Sequence, residues 1–319
     1  MTRNSSVWRL TYTGVALDRA SALRSTDSDV EKLRLNPNTR VLPIWNGNHL
    51  FDEQGQGAVA VTSEHFDLFD RADWDQADWI FLGSAQDSPW FAVVIQSDEA
   101  PPSLTNLGIL EPLHPRVGAL ESDQAALMAY ARGMALWHLN HLHCGRCGAP
   151  TVSCDGGHIR RCSDESCGYR AFPRTDAAVI VLVEHPDGER CLLGRQSKWP
   201  EGMYSVVAGF VEPGESLEEC VIREVKEETG IQVTDATYHA SQPWPFPSSL
   251  MLGFSAKALT TDFNPDDDEL DDIRWVTRSD LAQYGEMGDE TDGPKLPNRH
   301  SIARFLIDTW RGQAPAHHA

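Results

Sequence analysis

The sequence predicts a protein of the α/β class, in which an α/β layered domain follows a small metal-stabilised ribbon and an α+β N-terminal domain. Three observations support this prediction. After residue 172, apolar runs typical of buried strands are interleaved with helical patterns. Two pairs of cysteines lie directly before that point. The N-terminal part holds short strand-like stretches rich in Trp, Phe and Val. The expected domains are therefore 1–140, 141–171 and 172–319.

The composition argues against several classes of protein. The chain has 319 residues, of which 41% are hydrophobic, and its 27 Lys and Arg face 47 Asp and Glu, a net charge of −20. Such a charge repels polyanions and argues against tight non-specific binding to nucleic acid or to an anionic membrane. No apolar run approaches the roughly 20 residues of a membrane span. Because Met1–Leu10 also lacks an apolar signal core, we expect a cytoplasmic protein with no membrane partner.

The N-terminal domain shows four strand-like stretches separated by turn-forming residues, and then one long helix. The helix is predicted over Glu121–His141, where apolar residues recur at helical spacing. No cluster of catalytic residue types occurs in the first 120 residues. The predicted strands are Val41–Trp45, Ala58–Thr62, Trp79–Gly83 and Trp90–Gln96.

Four of the seven cysteines have the spacing of a zinc ribbon. Two residues separate Cys144 from Cys147, four separate Cys162 from Cys167, and 14 lie between the pairs. Thiolates suit Zn²⁺, and four of them close a tetrahedral structural site, so we expect one zinc ion per chain. Disulfides are the alternative, which a cytosolic location disfavours. Cys154, between the pairs, is an alternative ligand because the second pair is widely spaced.

The C-terminal domain begins with three strand-like runs, continues with an amphipathic helix and then returns to strands. This interleaving predicts strands and helices packed in layers. Strands are predicted at Ala177–Val183, Cys191–Gly194, Tyr204–Ala208, Thr237–Ser241, Leu250–Leu259 and Ile273–Val276, and helices at Ser216–Thr229 and Ser301–Trp310.

The segment from residue 209 to residue 231 predicts a tight loop that leads into a well-defined helix. Ser216 is a favourable N-cap, and Glu219 three residues later completes a capping box. Gly230 stands where a left-handed residue ends a helix.

Three carboxylates crowd one face of that helix. Glu224 lies three residues from Glu227 and four from Glu228, so the three side chains are neighbours. Like charges at this spacing are destabilising unless a cation lies among them, and hard oxygen ligands suit Mg²⁺ or Mn²⁺. Arg223 can hold a neighbouring carboxylate such as Glu215 by a charged hydrogen bond. The alternative is a solvated acidic helix face.

The complete pattern, G-x5-E-x7-R-E-x2-E-E-x-G from Gly209 to Gly230, resembles the Nudix box at every defined position. The resemblance implies a Nudix hydrolase, an enzyme that cleaves a nucleoside diphosphate linked to another group. It also implies the fold of that family, an α/β/α sandwich with a mixed sheet between helices.

A second segment, Ser241–Ser249, narrows the resemblance. It reads SQPWPFPSS, in which three prolines fix an extended backbone and two aromatic side chains offer rigid surface for a flat heterocycle. The alternative is a proline-rich ligand for another protein. The segment resembles the signature of the NADH pyrophosphatase subfamily, which also has a zinc ribbon upstream of the Nudix domain and a divergent domain before it.

The resemblance implies a role for each residue that matches the family's catalytic metal site. Glu224 and Glu228 match metal-binding glutamates, Glu227 matches a metal ligand or base, and the carbonyl of Ala208 matches a backbone ligand. The expected cofactors are catalytic Mg²⁺ or Mn²⁺ and structural Zn²⁺.

A further acidic ligand is implied before the last strand. Asp272 is the best match there, with Asp271 and Glu269 as alternatives. Most of the seven acids from Asp262 to Asp272 would belong to a solvated loop.

The resemblance also implies a set of substrate-binding residues, which combines aromatic side chains, the proline-rich signature and one small residue near the C-terminus. They are Phe172, Phe210, Gln242, Pro243, Trp244, Pro245, Phe246, Pro247, Ser248, Ser249 and Ala303.

The activity implied is hydrolysis of NADH or NAD⁺ to AMP and nicotinamide mononucleotide, with removal of NAD caps from RNA 5′ ends as a related activity. The subfamily resemblance further implies a homodimer. Hydrolysis of ADP-ribose or of other nucleoside-diphosphate-linked compounds stays open as an alternative. A Nudix-fold binding module without turnover is a further alternative, which normally goes with a broken box.

Overall fold

The computed structural model describes residues 10–62, 65, 77–265, 269–290 and 292–312. The chain divides into two compact units. The N-terminal unit comprises Tyr12–Thr175 and Pro245–Ser248. The C-terminal unit comprises Met1–Thr11, Asp176–Trp244 and Ser249–Ala319. The three-domain division expected from the sequence stays a prediction.

The N-terminal unit contains two sheets and four helices within its described residues. The helices are α1 Asp27–Arg34, α2 Pro102–Thr105, α3 Leu113–Arg116 and α4 Ser122–Leu139. The strands are β1 Arg40–Trp45, β2 Asn48–Phe51, β3 Val61–Thr62, β4 Asp78–Ala85, β5 Ser88–Ile95, β6 Ile109–Glu111, β7 Thr151–Cys154, β8 Ile159–Cys162 and β9 Arg170–Ala171. Short 3-10 helices occupy Ser21–Arg24, Val117–Ala119 and Asp155–Gly157.

The larger sheet of this unit is mixed. Its order is β4-β5-β1-β2-β6 with β3 beside β1, and β1 runs parallel to β5. Side chains of β1 alternate between its faces, so Leu42 and Ile44 pack with Met134 of α4 while Val41 packs on the opposite face. The smaller sheet, β7-β8-β9, is antiparallel and lies in the predicted ribbon.

The C-terminal unit contains a second mixed sheet, of order β13-β14-β10-β11-β15 with β12 beside β10. Its central pair, β10 and β14, is parallel. The strands are β10 Asp176–Glu184, β11 Arg190–Arg195, β12 Val207–Phe210, β13 Val233–Trp244, β14 Ser249–Ala258, β15 Asp272–Thr277, β16 Gly285–Glu286 and β17 Lys295–Leu296. The helices are α5 Leu217–Thr229, α6 Arg278–Leu281 and α7 Ile302–Trp310.

This sheet is buried between helices on both faces. Val179 and Val181 of β10 pack in the core formed with α5, whereas Ile180 and Leu182 pack in the core formed with α7. A strand with two buried faces reads as a continuous apolar run, which explains the sequence of β10. The predicted α/β/α sandwich with a mixed sheet is therefore confirmed, as is the α+β character of the part before it.

Helix α5 begins and ends as predicted. The Ser216 hydroxyl accepts from the Glu219 backbone N–H, the Glu219 carboxylate accepts from the Ser216 backbone N–H, and Gly230 follows in the left-handed region at φ 76°. A side chain at Gly230 would collide with the backbone of Asn264. These contacts fix where the helix starts, and hence where its glutamates lie.

Several boundaries differ from the sequence prediction. The strand expected at Tyr204–Ala208 is β12 Val207–Phe210, because its pairing with β10 starts at Val207. The strand expected at Ala58–Thr62 shortens to Val61–Thr62. Strands β2 and β6, of four and three residues, lie where the sequence predicts no strand. Within the described residues, no helix combines the length and apolar character that crossing a bilayer requires.

Candidate active site

The acidic face of α5 lies against the end of β12. If residue 209 were larger than glycine, its Cβ atom would lie only 1.8 Å from Cδ of Glu224. A side chain at position 209 would therefore displace the carboxylate of Glu224, which lies against the strand backbone at Gly209. The predicted carboxylate ligand Glu224 thus lies beside the residue that follows Ala208, the predicted backbone ligand.

Arg223 connects the carboxylates of this site. Its Nε donates to Oε1 of Glu215 at 2.5 Å, and its Nη1 donates to Oε1 of Glu224 and Oε2 of Glu227, both at 2.9 Å. Its Nη2 donates to the carbonyl oxygen of Phe210 at 3.0 Å. Hydrogen bonds from Arg223 are the main reason that the pKa of Glu215 falls to about 2. One guanidinium thus orders the loop and partly offsets the acidic face.

The three box glutamates differ in exposure. The side chain of Glu224 is 13% exposed and that of Glu227 is 44% exposed, whereas Glu228 is buried. Burial raises the pKa of Glu224, and the negative charges of Glu227 and Glu269 raise it further, against the opposing effect of Arg223. A carboxylate in this environment gains from a nearby cation.

Glu228 and Ala208 line one cavity of about 180 Å³, together with Gln196 and Leu270. The Nε2 of Gln196 donates to Oε1 of Glu269 at 2.6 Å. Glu269 is therefore held beside this cavity, and its charge acts on Glu224. Of the late acids that the structure describes, Glu269 is the one whose charge acts on a box glutamate.

Asp272, the late acid favoured by the sequence, has other partners. The hydroxyl of Tyr204 donates to Oδ2 of Asp272 at 2.5 Å, and Arg274 donates to the same oxygen. Burial opposes the charge of Asp272, but these hydrogen bonds outweigh burial and lower its pKa. Asp271 pairs with Arg195 at 2.6 Å. Asp266, Asp267 and Asp268, which the sequence places in the same acidic loop, lie outside the described residues.

The chemistry of these groups fits a divalent cation. The carboxylates of Glu224 and Glu227 share one guanidinium nitrogen, with the charge of Glu269 close enough to act on Glu224. Hard oxygen donors with excess negative charge are what Mg²⁺ and Mn²⁺ prefer. Within the described residues, however, only the four ribbon cysteines bring three or more such ligand atoms within 4.8 Å of one another.

The sulfur atoms of Cys144, Cys147, Cys162 and Cys167 all lie within 4.8 Å of one another. Cys147 and Cys162 are 3.4 Å apart, and Cys144 and Cys167 are 3.9 Å apart. Cys154 is outside this group, and its thiol donates to the carbonyl oxygen of Val152. The fit to a tetrahedral thiolate site is therefore good, despite the wide spacing of the second pair.

Comparison with known proteins connects these features. Three family models match consecutive parts of the chain: an "NADH pyrophosphatase-like rudimentary NUDIX domain" over residues 38–137, an "NADH pyrophosphatase zinc ribbon domain" over 139–172 and a "NUDIX domain" over 173–296. The NAD-capped RNA hydrolase NudC of Pseudomonas fluorescens is 38% identical over 204 residues, which cover 63% of this chain and 68% of that protein. The chain belongs to the Nudix hydrolases, in the NADH pyrophosphatase branch.

Two other relatives of this Nudix protein are similar over part of their length. The human NAD-capped RNA hydrolase NUDT12 is 40% identical over 230 residues, or 69% of this chain and 50% of that protein. The chloroplastic Nudix hydrolase 19 of Arabidopsis thaliana is 48% identical over 233 residues, or 60% of this chain and 53% of that protein. The chain thus spans about half the length of these relatives.

The signature residue Gln242 of this Nudix protein is fully buried. Its Nε2 donates to the carbonyl oxygens of Thr11 and His300, and its Oε1 accepts from the backbone N–H of Ile302 at 2.8 Å. All three partners belong to the C-terminal unit, and Ile302 begins α7. The amide of Gln242 is thus bonded to backbone groups on both sides, and the place of Gln242 in the substrate-binding set stays a prediction.

Phe246 of the signature packs within the N-terminal unit. Its ring lies 5.0 Å from that of His114 and 5.8 Å from that of Tyr12, and the guanidinium of Arg132 lies 5.1 Å from its centroid. Arg132 also donates to the carbonyl oxygens of Pro245 and Gly47, at 3.0 and 2.7 Å. The open stacking surface predicted for Phe246 is therefore partly taken up by the protein itself.

The sequence did not single out Arg132. The available signal was an arginine inside the apolar helical pattern of α4, where a charged residue needs a partner. Its partners are carbonyl groups and a ring, which no local pattern reveals.

Other predicted substrate-binding residues remain accessible. Phe172 is 60% exposed directly after β9, and Phe210 is 59% exposed at the end of β12. Pro243 and Pro247 are exposed, Trp244 and Ser248 are half-buried, and Ser249 faces Trp244 across the hairpin. Ala303, by contrast, is a residue of α7 and is buried in the core.

Proposed function

We propose that this protein hydrolyses the pyrophosphate bond of NADH and NAD⁺, giving AMP and nicotinamide mononucleotide, and removes NAD caps from RNA 5′ ends. The observation that carries the proposal is the acidic face of α5 held against the end of β12 by Gly209 and Arg223. An intact cluster of this kind favours turnover over the alternative of a binding module. The names of the P. fluorescens and human relatives support the choice of substrate.

The catalytic metal site is proposed to use Glu224, Glu228, the Ala208 carbonyl and Glu269, with Mg²⁺ or Mn²⁺ as the ion. When bound, such an ion neutralises phosphate charge and lowers the pKa of a bound water. We assign the late acidic position to Glu269 rather than Asp272, because Asp272 is held by Tyr204 and Arg274.

The roles of the other residues follow from their exposure. Glu227 is the most exposed of the three box glutamates, so it is the group best placed to receive a proton from water. Arg223 holds it in position through Nη1. Phe172, Phe210 and Trp244 are proposed to contact the flat rings of the substrate, and Phe246 to fix the signature segment from within.

The test is turnover by the full chain with Mn²⁺ or Mg²⁺ on NADH, NAD⁺, ADP-ribose and a short NAD-capped RNA, with the products separated by chromatography. We expect AMP and nicotinamide mononucleotide from the free dinucleotides and a 5′-monophosphate end from the RNA. Fastest turnover of ADP-ribose would contradict the substrate assignment. Absence of turnover on all four substrates would favour the binding module.

The matched variants are Glu227→Gln and Glu218→Gln, two changes on the same helix. Glu227→Gln is expected to reduce kcat at least 100-fold, within the range of general-base contributions, while the melting temperature stays unchanged. Glu218 is exposed and outside the cluster, so its variant should keep full activity. Equal activity of the two variants would remove Glu227 from the mechanism.

A structural zinc ion in the ribbon belongs to the same proposal, and the four converging thiols support it. The homodimer and the cytoplasmic location expected from the sequence stay predictions.

A further inference from the structure

The ribbon sheet carries an exposed row of side chains that the proposed reaction does not use. Val152 of β7 faces Arg161 of β8, which faces Arg170 of β9, so the three form one cross-strand row. All three side chains are exposed. Neither guanidinium has a hydrogen-bond or ion-pair partner among the residues that the structure describes. An arginine left free in this way can bind an external anion.

The arginine next to Arg161 in the chain behaves differently. Arg160 is buried and pairs with Asp78 at 2.8 Å, so its charge is neutralised inside the unit. Successive residues of a strand point to opposite faces. The inner arginine therefore anchors the ribbon, and the outer arginines carry its surface charge.

The local charge of the ribbon is opposite to that of the whole chain. Residues 141–175 hold five arginines and three acidic residues, whereas the chain carries −20. A polyanion is repelled by a surface of that overall sign and is accepted only where cations cluster. The residues here are arginines, whose planar forks match phosphate geometry.

Two exposed aromatic residues flank Arg170 in the chain. Tyr169 is 42% exposed but directly precedes Arg170, so the alternation of the strand turns it toward the other face of the sheet. Phe172, one of the residues proposed to contact the dinucleotide, is 60% exposed. Phe172 lies two residues from Arg170, about 7 Å along an extended chain. Cationic side chains interleaved with exposed rings are the pattern that holds single-stranded nucleic acid, through phosphate contacts and base stacking.

The same arginines line a pocket of about 320 Å³ with Ser25 and Thr26, at the start of α1. Asp27 and Asp155 also line it. This mixture of charges favours contacts with one or two phosphates over tight capture of a free multivalent anion.

We propose that the face formed by Val152, Arg161, Arg170 and Phe172, here called the ribbon face, binds the RNA strand that carries an NAD cap. The proposal rests on the proposed function, since it assigns a binding surface to the polymeric part of that substrate. Free NADH has no such strand and makes no use of Arg161 or Arg170. The ribbon face therefore distinguishes capped RNA from the free dinucleotide.

The test compares two double variants of the full chain in kcat/KM for free NADH and for an NAD-capped RNA of about ten nucleotides. Arg161→Gln with Arg170→Gln should lower kcat/KM for the RNA roughly tenfold, the effect of losing two charged phosphate contacts, and leave NADH hydrolysis unchanged. The control, Lys257→Gln with Arg299→Gln, removes two exposed cations elsewhere and should change neither value. Arg161→Lys with Arg170→Lys should restore most of the RNA activity.

Salt dependence gives a second readout. Each phosphate contact to a single strand contributes about 0.7 to the slope of log kcat/KM against log salt. For the RNA substrate, the slope of the Arg161→Gln and Arg170→Gln double variant should therefore be shallower than that of the wild type by about 1.4, for two lost contacts.

Four outcomes would overturn the proposal. An equal loss on both substrates would make the arginines structural, and an equal loss in the control would reduce the effect to net charge. Inhibition by an acidic peptide but not by uncapped RNA would identify a protein partner instead. If the wild-type protein cleaves NADH but not capped RNA, then RNA is not a substrate and the ribbon face has no strand to bind. If it cleaves neither, the proposed function itself is rejected.

Discussion

Arg223 shows how one residue can make an acidic helix face stable enough to persist. Glu224, Glu227 and Glu228 would repel one another at helical spacing. The guanidinium bonds to Glu215, Glu224 and Glu227 at once, and in turn its own pKa is raised, first by the hydrogen bond to Glu215. The residual negative charge around Glu224 is what a divalent cation would neutralise.

The choice between Glu269 and Asp272 as the late acidic metal ligand can be tested by single substitutions. We expect Glu269→Gln to reduce turnover about 100-fold and to weaken Mn²⁺ binding, because its charge acts on Glu224 and its carboxylate lies beside the cavity that Glu228 lines. Asp272→Asn should keep most of the activity, since Tyr204 and Arg274 hold that carboxylate elsewhere. The measurements are kcat and Mn²⁺ affinity by titration. Loss of Mn²⁺ affinity in the Asn variant alone would return the role to Asp272.

At the scale of elements, α4 holds the proline-rich signature in place. Arg132 binds two carbonyl oxygens and lies over the ring of Phe246, and within the described residues it has no carboxylate partner. Burial lowers the pKa of this arginine. A buried cation paired only with dipoles is costly, so the contact with Pro245 and Phe246 repays part of that cost.

We expect Arg132→Gln to raise KM for NADH about tenfold with kcat changed less than threefold, since losing a charged hydrogen bond costs on the order of 1.5–3 kcal/mol. Arg19→Gln is the matched control, because Arg19 also lies over a ring in the same unit, that of Tyr130. Parallel falls in kcat and melting temperature without a change in KM would show a purely structural role for Arg132.

The ribbon is the element most dependent on a metal. Its sheet pairs few residues, and its four sulfur atoms crowd within 4.8 Å. Small elements of this kind gain much of their stability from the bound ion.

Cys147→Ser is expected to abolish stoichiometric zinc binding and to lower the melting temperature by roughly 5 °C, which corresponds to about 2 kcal/mol in a domain of this size. Cys154→Ser, outside the cluster, should keep one zinc ion per chain and the wild-type melting temperature. Zinc content by elemental analysis and thermal unfolding check both. A full zinc complement in Cys147→Ser would refute the ribbon site.

At the scale of the whole molecule, buried histidines make stability depend on pH. Burial lowers the pKa of His49 to about 3 and that of His158 to about 4, from an ordinary value of 6.5. The unfolded chain therefore binds protons that the folded chain does not, and stability falls as pH decreases from 6.5 toward 4.

We expect the free energy of unfolding to fall by about 1.4 kcal/mol per pH unit for each such histidine within this window. His158→Gln keeps a donor for the carbonyl oxygen of Phe81 but does not titrate. The free energy of unfolding of this variant should therefore fall less steeply with decreasing pH, by the contribution of one histidine. Urea unfolding at pH 7, 6 and 5 measures the difference between the two proteins, and loss of zinc in acid affects both alike. Parallel pH slopes would contradict this assignment.

The sequence by itself determined the features that depend on local spacing. The capping box and Gly230 fix α5, the helical period then places Glu224, Glu227 and Glu228 on one face, and the cysteine pairs predict the ribbon. The burial of both faces of β10 likewise agrees with its continuous apolar run. Each of these is a relation between residues close in the chain, which is why pattern alone could predict it.

Only the tertiary structure decided which distant residues meet. Gln242 contacts the carbonyl oxygen of Thr11, which lies 231 positions away in the chain, and Arg132 contacts Pro245 across 113 positions. Glu269 rather than Asp272 lies beside the cavity of Glu228 because strand pairing and Gln196 fix the loop there. Contacts between residues far apart in the chain depend on how the elements pack. The periodic pattern of the sequence shows which face of an element is buried, but it does not show which distant residue lies against that face.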